Sequence, residues 1–345
     1  MGQMSEGMQD ALRQLVSKAY LARVKGDGRP FVVGHFITNR CNCQCASCLW
    51  KHNDWQDVPL EDIKRFYTEA REQGFLAAAF SGGDPFLRKD LGEILRFVKH
   101  EKKMSILLFT TGWFLKARMD EALPHIDMLM LSLDSAKAER HDRIRGLPGL
   151  YDRLVEAVGL VRKRYPTLSV QFNTCVQKGI SEEVDDLIAL ARSLDVHISF
   201  DVITDSRNGD ADAPFTQTNM GLPQSELKEV CSYLLKRKQE GAPILNSEHY
   251  FSYFIAGKPG YACHLPKLAM SVDGRGYVEY CLNLNEPIAN IRTMSVKEIL
   301  DLPRFKSLRA DAERCSSCSS PTMVDFSGVW ENPQMVFEKG GISIR

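Results

Sequence analysis

The sequence predicts an α/β fold: six parallel strands wrapped by helices, followed by a small β-hairpin domain. Two observations carry this. Between Phe31 and about Glu240, short apolar runs alternate six times with amphipathic runs of helical period. After residue 241 the rhythm gives way to two β-rich runs around Asp273-Gly274. Consecutive strand–helix units imply right-handed crossovers, in a sheet that is either open and doubly wound or curled towards a barrel. Both arrangements put function at the C-terminal ends of the strands.

In chain order, residues 4–24 carry apolar side chains at helical spacing: Met8, Leu12, Leu15, Val16, Ala19, Tyr20 and Val24. This reads as a helix capping one end of the fold, or as an amphipathic surface lying on a membrane, and "GDGRP" stops it. Strands are expected near 31–38, 76–80, 104–110, 126–133, 168–176 and 196–203. Helices follow near 60–73, 89–102, 114–122, 149–164, 182–193 and 224–239. Ser181 opens one helix with acidic residues in its first turn, and Pro223 precedes the last. "LAMSVDGRGYVEYC" forms the hairpin, with a helix near 295–302, and residues 319–345 read as irregular. The units are therefore 1–30, 31–240, 241–318 and a tail, 319–345.

Composition narrows the function. Among 345 residues, lysine plus arginine equals aspartate plus glutamate at 44 each, so no global charge draws the chain to nucleic acid or an anionic membrane. No apolar run is long enough to span a bilayer, and no secretion signal opens the chain. The expected address is cytoplasmic. In a reducing compartment, clustered thiols bind metal or react more often than they form disulfides.

The ten cysteines fall mostly into two groups. In "TNRCNCQCASCLW", Cys41, Cys45 and Cys48 give C-x3-C-x2-C, directly after the first strand, with Cys43 between. Structural zinc takes four ligands, usually as separated C-x2-C pairs, whereas cubane iron–sulfur clusters take thiolates from compact loops. Three thiolates leave one iron without a protein ligand.

At this point the chain resembles the radical S-adenosylmethionine (radical SAM) enzymes. The resemblance implies a partial (β/α)6 TIM-type barrel whose [4Fe–4S] cluster binds S-adenosylmethionine at its open iron and yields a 5′-deoxyadenosyl radical. It implies an external one-electron donor of flavodoxin or ferredoxin type, and it leaves Cys43 a spectator. "SGGDP" resembles the family's Gly-Gly-Glu-Pro, with Gly82, Gly83 and Asp84 near the methionine end of the cofactor; read alone it is a tight turn. "LSLDS" and "HDRIRG" resemble the family's strand-four segments and imply that Ser132 and Arg145 hold the cofactor's carboxylate or ribose; a planar guanidinium suits a carboxylate. "TTGW" offers Thr111, "FNTCV" offers Asn173, and "ISFDVIT" offers Ile198 or Val202 against adenine or in the core.

The late group is Cys263, Cys281, Cys315 and Cys318. Read cold, it is a zinc ribbon. It also resembles the twitch domain, the short form of the SPASM domain, which implies one auxiliary [4Fe–4S] cluster fully ligated by these four. The same ligand count occurs in the family's aminocyclitol dehydrogenases and implies electron transfer. Three enzymatic readings remain: an oxidoreductase on a small molecule or sugar, a peptide maturase, and a lipid- or isoprenoid-modifying enzyme. Only about 30 residues precede the first strand, too few for a folded leader-binding module. A non-catalytic zinc protein is the alternative from another class. Asp201, Asp205 and Arg207 are expected at the barrel mouth, and Asp325, Trp330 and Glu331 on a lid or packed on the barrel end.

Overall fold

A computed structural model describes residues 28–45, 48, 53–203, 220–257, 261–279, 287–315, 318 and 320–332, with a few helical positions between 14 and 24. Six strands run through the first part: β1 (Val32–Thr38), β2 (Ala77–Gly82), β3 (Ser105–Thr110), β4 (Met128–Ser132), β5 (Ser169–Val176) and β6 (His197–Val202). Their helices are α1 (Leu60–Glu72), α2 (Leu91–Arg96), α3 (Leu115–Ala122), α4 (Ala138–Arg145), α5 (Leu150–Arg164), α6 (Val184–Ser193) and α7 (Gln224–Gln239). Strands β1 to β6 pair in parallel, each with its sequence neighbour. The sheet is open: β6 lies at one edge and does not close onto the other.

Side-chain alternation explains how this sheet holds its helices and keeps a working face. Val33, Ile37, Ala78, Phe80, Ile106, Leu108, Leu129, Leu131, Phe172 and Phe200 are fully buried on one side. Helix α1 meets them with Ile63, Phe66, Tyr67 and Ala70, one stripe at i, i+3, i+4, i+7. The intervening positions Phe36, Ala79, Leu107, Met130, Asn173 and Asp201 point the other way and are only half-buried. They form the concave inner wall.

The C-terminal part continues the same sheet. After α8 (Glu248–Ile255) and α9 (Leu265–Leu268) come β7 (Ala269–Val272), β8 (Tyr277–Glu279) and β9 (Pro287–Asn290). Strand β7 pairs parallel with β1, while β8 and β9 follow antiparallel, giving nine strands in the order β6-β5-β4-β3-β2-β1-β7-β8-β9. Helices α10 (Val296–Asp301), α11 (Pro303–Glu313) and α12 (Pro321–Glu331) complete the chain. A capping box at Ser295 and Glu298 starts α10.

The tail corrects the sequence reading. Residues 321–331, read as irregular, are helix α12, packed on α8, α9 and β6. With neighbours on more than one side, its buried positions include Val324, Asp325, Ser327 and Trp330, so no single apolar stripe advertises it. Asp325 accepts a hydrogen bond from Ser247, the N-cap of α8, and Trp330 lies against His264 at 6.1 Å between ring centroids. Asp325 and Trp330 therefore pack. Most of the N-terminal helix, Asp205, Arg207 and Cys281 lie outside the described residues. Among those described, no helix is long and apolar enough to cross a membrane.

Candidate iron–sulfur and cofactor site

The loop leaving β1 is gripped by backbones that only glycine lets so near. The Gly83 N–H donates to Thr38 O and the Asp84 N–H to Arg40 O, both at 2.8 Å. A Cβ on Gly82 would stand 2.1 Å from Thr38 O, and one on Gly83 2.0 Å from Arg40 O. From the hairpin, a Cβ on Gly274 would meet Asn39 Oδ1 at 1.8 Å. After α4, one on Gly146 (φ +60°) would meet Gln44 Cβ at 2.7 Å. Three separate turns thus close on residues 38–44. The glycines of "SGGDP" bring their backbone against the cysteine loop itself.

Asp84 is fully buried at the end of β2. Its carboxylate accepts from Phe86 N and Thr110 Oγ1 at 3.0 Å, from Thr111 N at 3.1 Å, and from Thr111 Oγ1. Burial raises its pKa against the pull of those donors. Asp84 and Thr111, both candidate cofactor contacts, are placed as partners of one another, tying β2 to β3.

The thiols of the loop form a chain of neighbours. Cys41, Cys43 and Cys45 pack with Leu147, Leu150 and Trp113, and Cys48 closes a turn onto Cys45 O at 3.3 Å. The Cys43 N–H donates to Cys41 Sγ at 3.4 Å. Sharing of a proton with the sulfurs on either side raises the pKa of Cys43 and lowers that of Cys41, and with the Arg145 guanidinium alongside it brings Cys45 down to about 6. Arg145 is fixed by Asp134, whose Oδ2 lies 2.7 Å from its Nε, and its carbonyl accepts from Gln44 N at 2.9 Å.

Across the sheet, Ser132 stands in register with Asn173, and Asn173 with Ser199. The Asn173 amide, oriented to satisfy its neighbours, donates to Ser199 Oγ at 2.8 Å and Asp201 Oδ1 at 3.0 Å. These side chains share the inner wall with Cys175. Ile198 is fully buried on the helix side, whereas Val202 is half-buried. Asp134 and the enclosed, unpaired amide of Gln177 were not singled out from sequence. Asp134 had a signal, an acid closing an apolar strand shortly before "HDRIRG"; Gln177 had none.

The late group is partly assembled. Cys263 is buried, Cys315 and Cys318 are half-buried, and the Cys318 N–H donates to Tyr253 Oη at 2.9 Å. Among the described residues, no three Cys, His, Asp or Glu side chains form a closed metal cage. The early loop nonetheless fits an iron–sulfur group by donor chemistry: soft sulfurs, a cation beside them, and the Asn42 amide enclosed there with neither its oxygen nor its nitrogen hydrogen-bonded.

An open parallel sheet with a thiol loop at the C-terminal end of its first strand, and a second thiol group behind a hairpin, defines an iron–sulfur α/β-barrel class. Residues 36–191 match the family model described as Radical SAM superfamily, and residues 263–319 match SPASM, an iron-sulfur cluster-binding domain. The chain thus carries a radical SAM domain followed by a SPASM-type domain, and the cofactors of these two domains are [4Fe–4S] clusters and S-adenosylmethionine. It is 30% identical over 172 residues to the AdoMet-dependent heme synthase of Methanosarcina barkeri, covering 48% of each chain. It is 29% identical over 163 residues to the PqqA peptide cyclase of Granulibacter bethesdensis, covering 46% of this chain and 43% of that one. It spans less than half the length of both. Streptococcus suis SuiB bound to its precursor peptide superposes with a TM-score of 0.71 at 16% identity, over 89% of this chain and 74% of that one, and shares the fold.

Proposed function

We propose that this protein is an oxidoreductase acting on a small molecule or sugar, which cleaves S-adenosylmethionine reductively and removes a hydrogen atom from its substrate. The observation that supports it is the thiol loop held by three glycine-bearing turns at the mouth of the inner wall. When bound, the clusters and S-adenosylmethionine supply a carbon-centred radical that takes a substrate hydrogen atom, and an acceptor for the electron left behind. Cys41, Cys45 and Cys48 hold the first cluster. Arg145, locked by Asp134, presents positive charge beside Cys45 where a cofactor carboxylate binds. Ser132, Asn173 and Asp201 orient polar groups along the wall. Gly82 and Gly83 set the loop's height, and Asp84 with Thr111 fixes the turn that carries them. Cys263, Cys281, Cys315 and Cys318 hold the second cluster, and a flavodoxin- or ferredoxin-type donor supplies the starting electron.

Replacing Cys41, Cys45 and Cys48 together by alanine is expected to abolish 5′-deoxyadenosine formation, and Cys43→Ala to preserve it. Retained cleavage in the triple variant would defeat the assignment. Likeness to a peptide cyclase favours a second reading, a peptide substrate. Deuterium transfer into 5′-deoxyadenosine from labelled sugars, against labelled peptides, separates the two.

A further inference from the structure

The early thiol loop reaches water at Gln44, the exposed residue between Cys43 and Cys45. A single layer of side chains covers the sulfurs beside it. Trp113 and Leu147, both half-buried, pack on the group that Cys41 and Cys43 form with Leu150. The turn after α4 carries this layer outward: Gly146 abuts Gln44, and Pro148 and Gly149 follow it exposed. On the far side of Trp113 the guanidinium of the exposed Arg153 stacks 4.1 Å from the ring centroid. Arg143 is exposed on the last turn of α4, and its carbonyl accepts from Gly146 N at 3.3 Å.

Charge sets these two arginines apart from their neighbours. Arg140 is paired with Glu183, Arg145 with Asp134, and Lys116 with Glu156. Arg143 and Arg153 have no acidic partner among the described residues. Asp142 is occupied, its carboxylate accepting from Gly149 N and Tyr151 N, and Asp152 points about 100° round α5 from Arg153. An aromatic centre, a stacked arginine and an unpaired positive rim make the composition of a protein-binding surface.

We propose that Trp113, Leu147 and Pro148, rimmed by Arg143 and Arg153, form the docking surface for an acidic one-electron carrier protein. This rests on the reading of Cys41, Cys45 and Cys48 as holders of a redox cluster. Electron tunnelling weakens exponentially with distance, so a carrier is effective only where the thiols lie nearest the surface, and here one side-chain layer intervenes. The carrier loses one electron and the cluster gains it, with no bond or proton changing place. Attraction between opposite charges speeds the encounter, and a small patch lets the spent carrier leave.

The test compares two reductants on the full chain reconstituted anaerobically with iron and sulfide, scoring 5′-deoxyadenosine formed from S-adenosylmethionine. Dithionite is the small reductant, and reduced flavodoxin is the acidic protein. The double variant Arg143→Glu, Arg153→Glu is expected to keep wild-type iron content and its dithionite-driven rate. Its KM for flavodoxin is expected to rise at least about tenfold with kcat little changed, as is usual when steering charge is reversed. Arg143→Glu alone, which leaves the Trp113 stack in place, is expected to show a smaller rise, and Lys163→Glu, at the other end of α5, none. Added salt is expected to raise the wild-type KM for flavodoxin and to leave the double variant's where it was or lower it. An unmoved KM in both arginine variants would place the carrier elsewhere and overturn the proposal. So would an equal fall with dithionite, which would show that the arginines act on the cluster itself. A wild-type chain that forms no 5′-deoxyadenosine with either reductant would overturn the cluster reading beneath it.

Discussion

His35 shows how one side chain on β1 ties stability to pH. It is enclosed by Phe66, Tyr67 and Phe80, with Nδ1 3.1 Å from Tyr67 Oη and Nε2 unpaired. Burial, aided by the positive charge of Arg88, lowers its pKa from 6.5 to about 3. The folded state thus keeps His35 neutral while the unfolded chain protonates it near 6.5. Between those values the unfolded state binds more protons, so stability falls as pH drops, by on the order of 5 kcal/mol over the whole window. His35→Phe is expected to cost about 1–3 kcal/mol at neutral pH, since it strands the Tyr67 hydroxyl. It should also flatten the decline towards pH 5, read from urea midpoints at pH 7.5 and 5. An equally steep decline in both proteins would refute the attribution. Asp84 makes the matching case for hydrogen bonding: Asp84→Asn turns a donor towards the Thr110 and Thr111 donors, and is expected to cost at least about 1–3 kcal/mol. A thermal melt unchanged from wild type would refute it. That role was not legible in the sequence. "SGGDP" reads alike whether its acid meets a cofactor or two threonines on the next strand, because the partners arrive only through the β2–β3 pairing.

At the scale of elements, glycines tell turns that clamp from turns that merely bend. Gly274 lies in the β7–β8 turn, and a Cβ there would fall 1.8 Å from Asn39 Oδ1 and 2.9 Å from Asn39 N. Gly274→Ala must push back the residue that leads into Cys41, at about 1–3 kcal/mol. The expected readout is lower iron occupancy of the N-terminal site, though the mutation lies far along the chain. Gly159 is the control: it is exposed inside α5, and a Cβ there meets nothing within 4 Å. Gly159→Ala is expected to raise stability by roughly 0.5–1 kcal/mol with iron content unchanged. Equal iron occupancy in both variants would show that the hairpin does not brace the loop. Elements were legible where period and packing agree. Strands β1 to β6 fall within two residues of their expected bounds, β3 and β4 with a strict inside–outside alternation and the other four with a looser one. Helix α4 was hidden because its sequence, "AERHDRIR", is almost wholly polar and buries only His141.

The whole molecule is organised by the seam between β1 and β7. The sequence suggests a barrel followed by a separable hairpin domain, since the helical rhythm stops near residue 241. In the fold, Val32, Val33, Gly34 and His35 pair with Ala269, Met270, Ser271 and Val272, so the second cysteine group grows from the strand beside the one that launches the first. Local pattern carries no sign of this, because parallel pairing between segments more than 200 residues apart leaves no periodicity in either one. The consequence is that the C-terminal part covers an edge. Removing residues 258–345 would strip β1 of a partner along four residues and uncover Ala269-facing backbone groups on a long apolar strand, a template for pairing with other chains. A chain of residues 1–257 is therefore expected to aggregate, and to hold little iron at Cys41, Cys45 and Cys48 even under anaerobic reconstitution. Size-exclusion chromatography with iron analysis reads both. A monomeric 1–257 protein that loads a full N-terminal cluster would mean that β1 does not need β7, and that the two cysteine sites fold independently although they share one sheet.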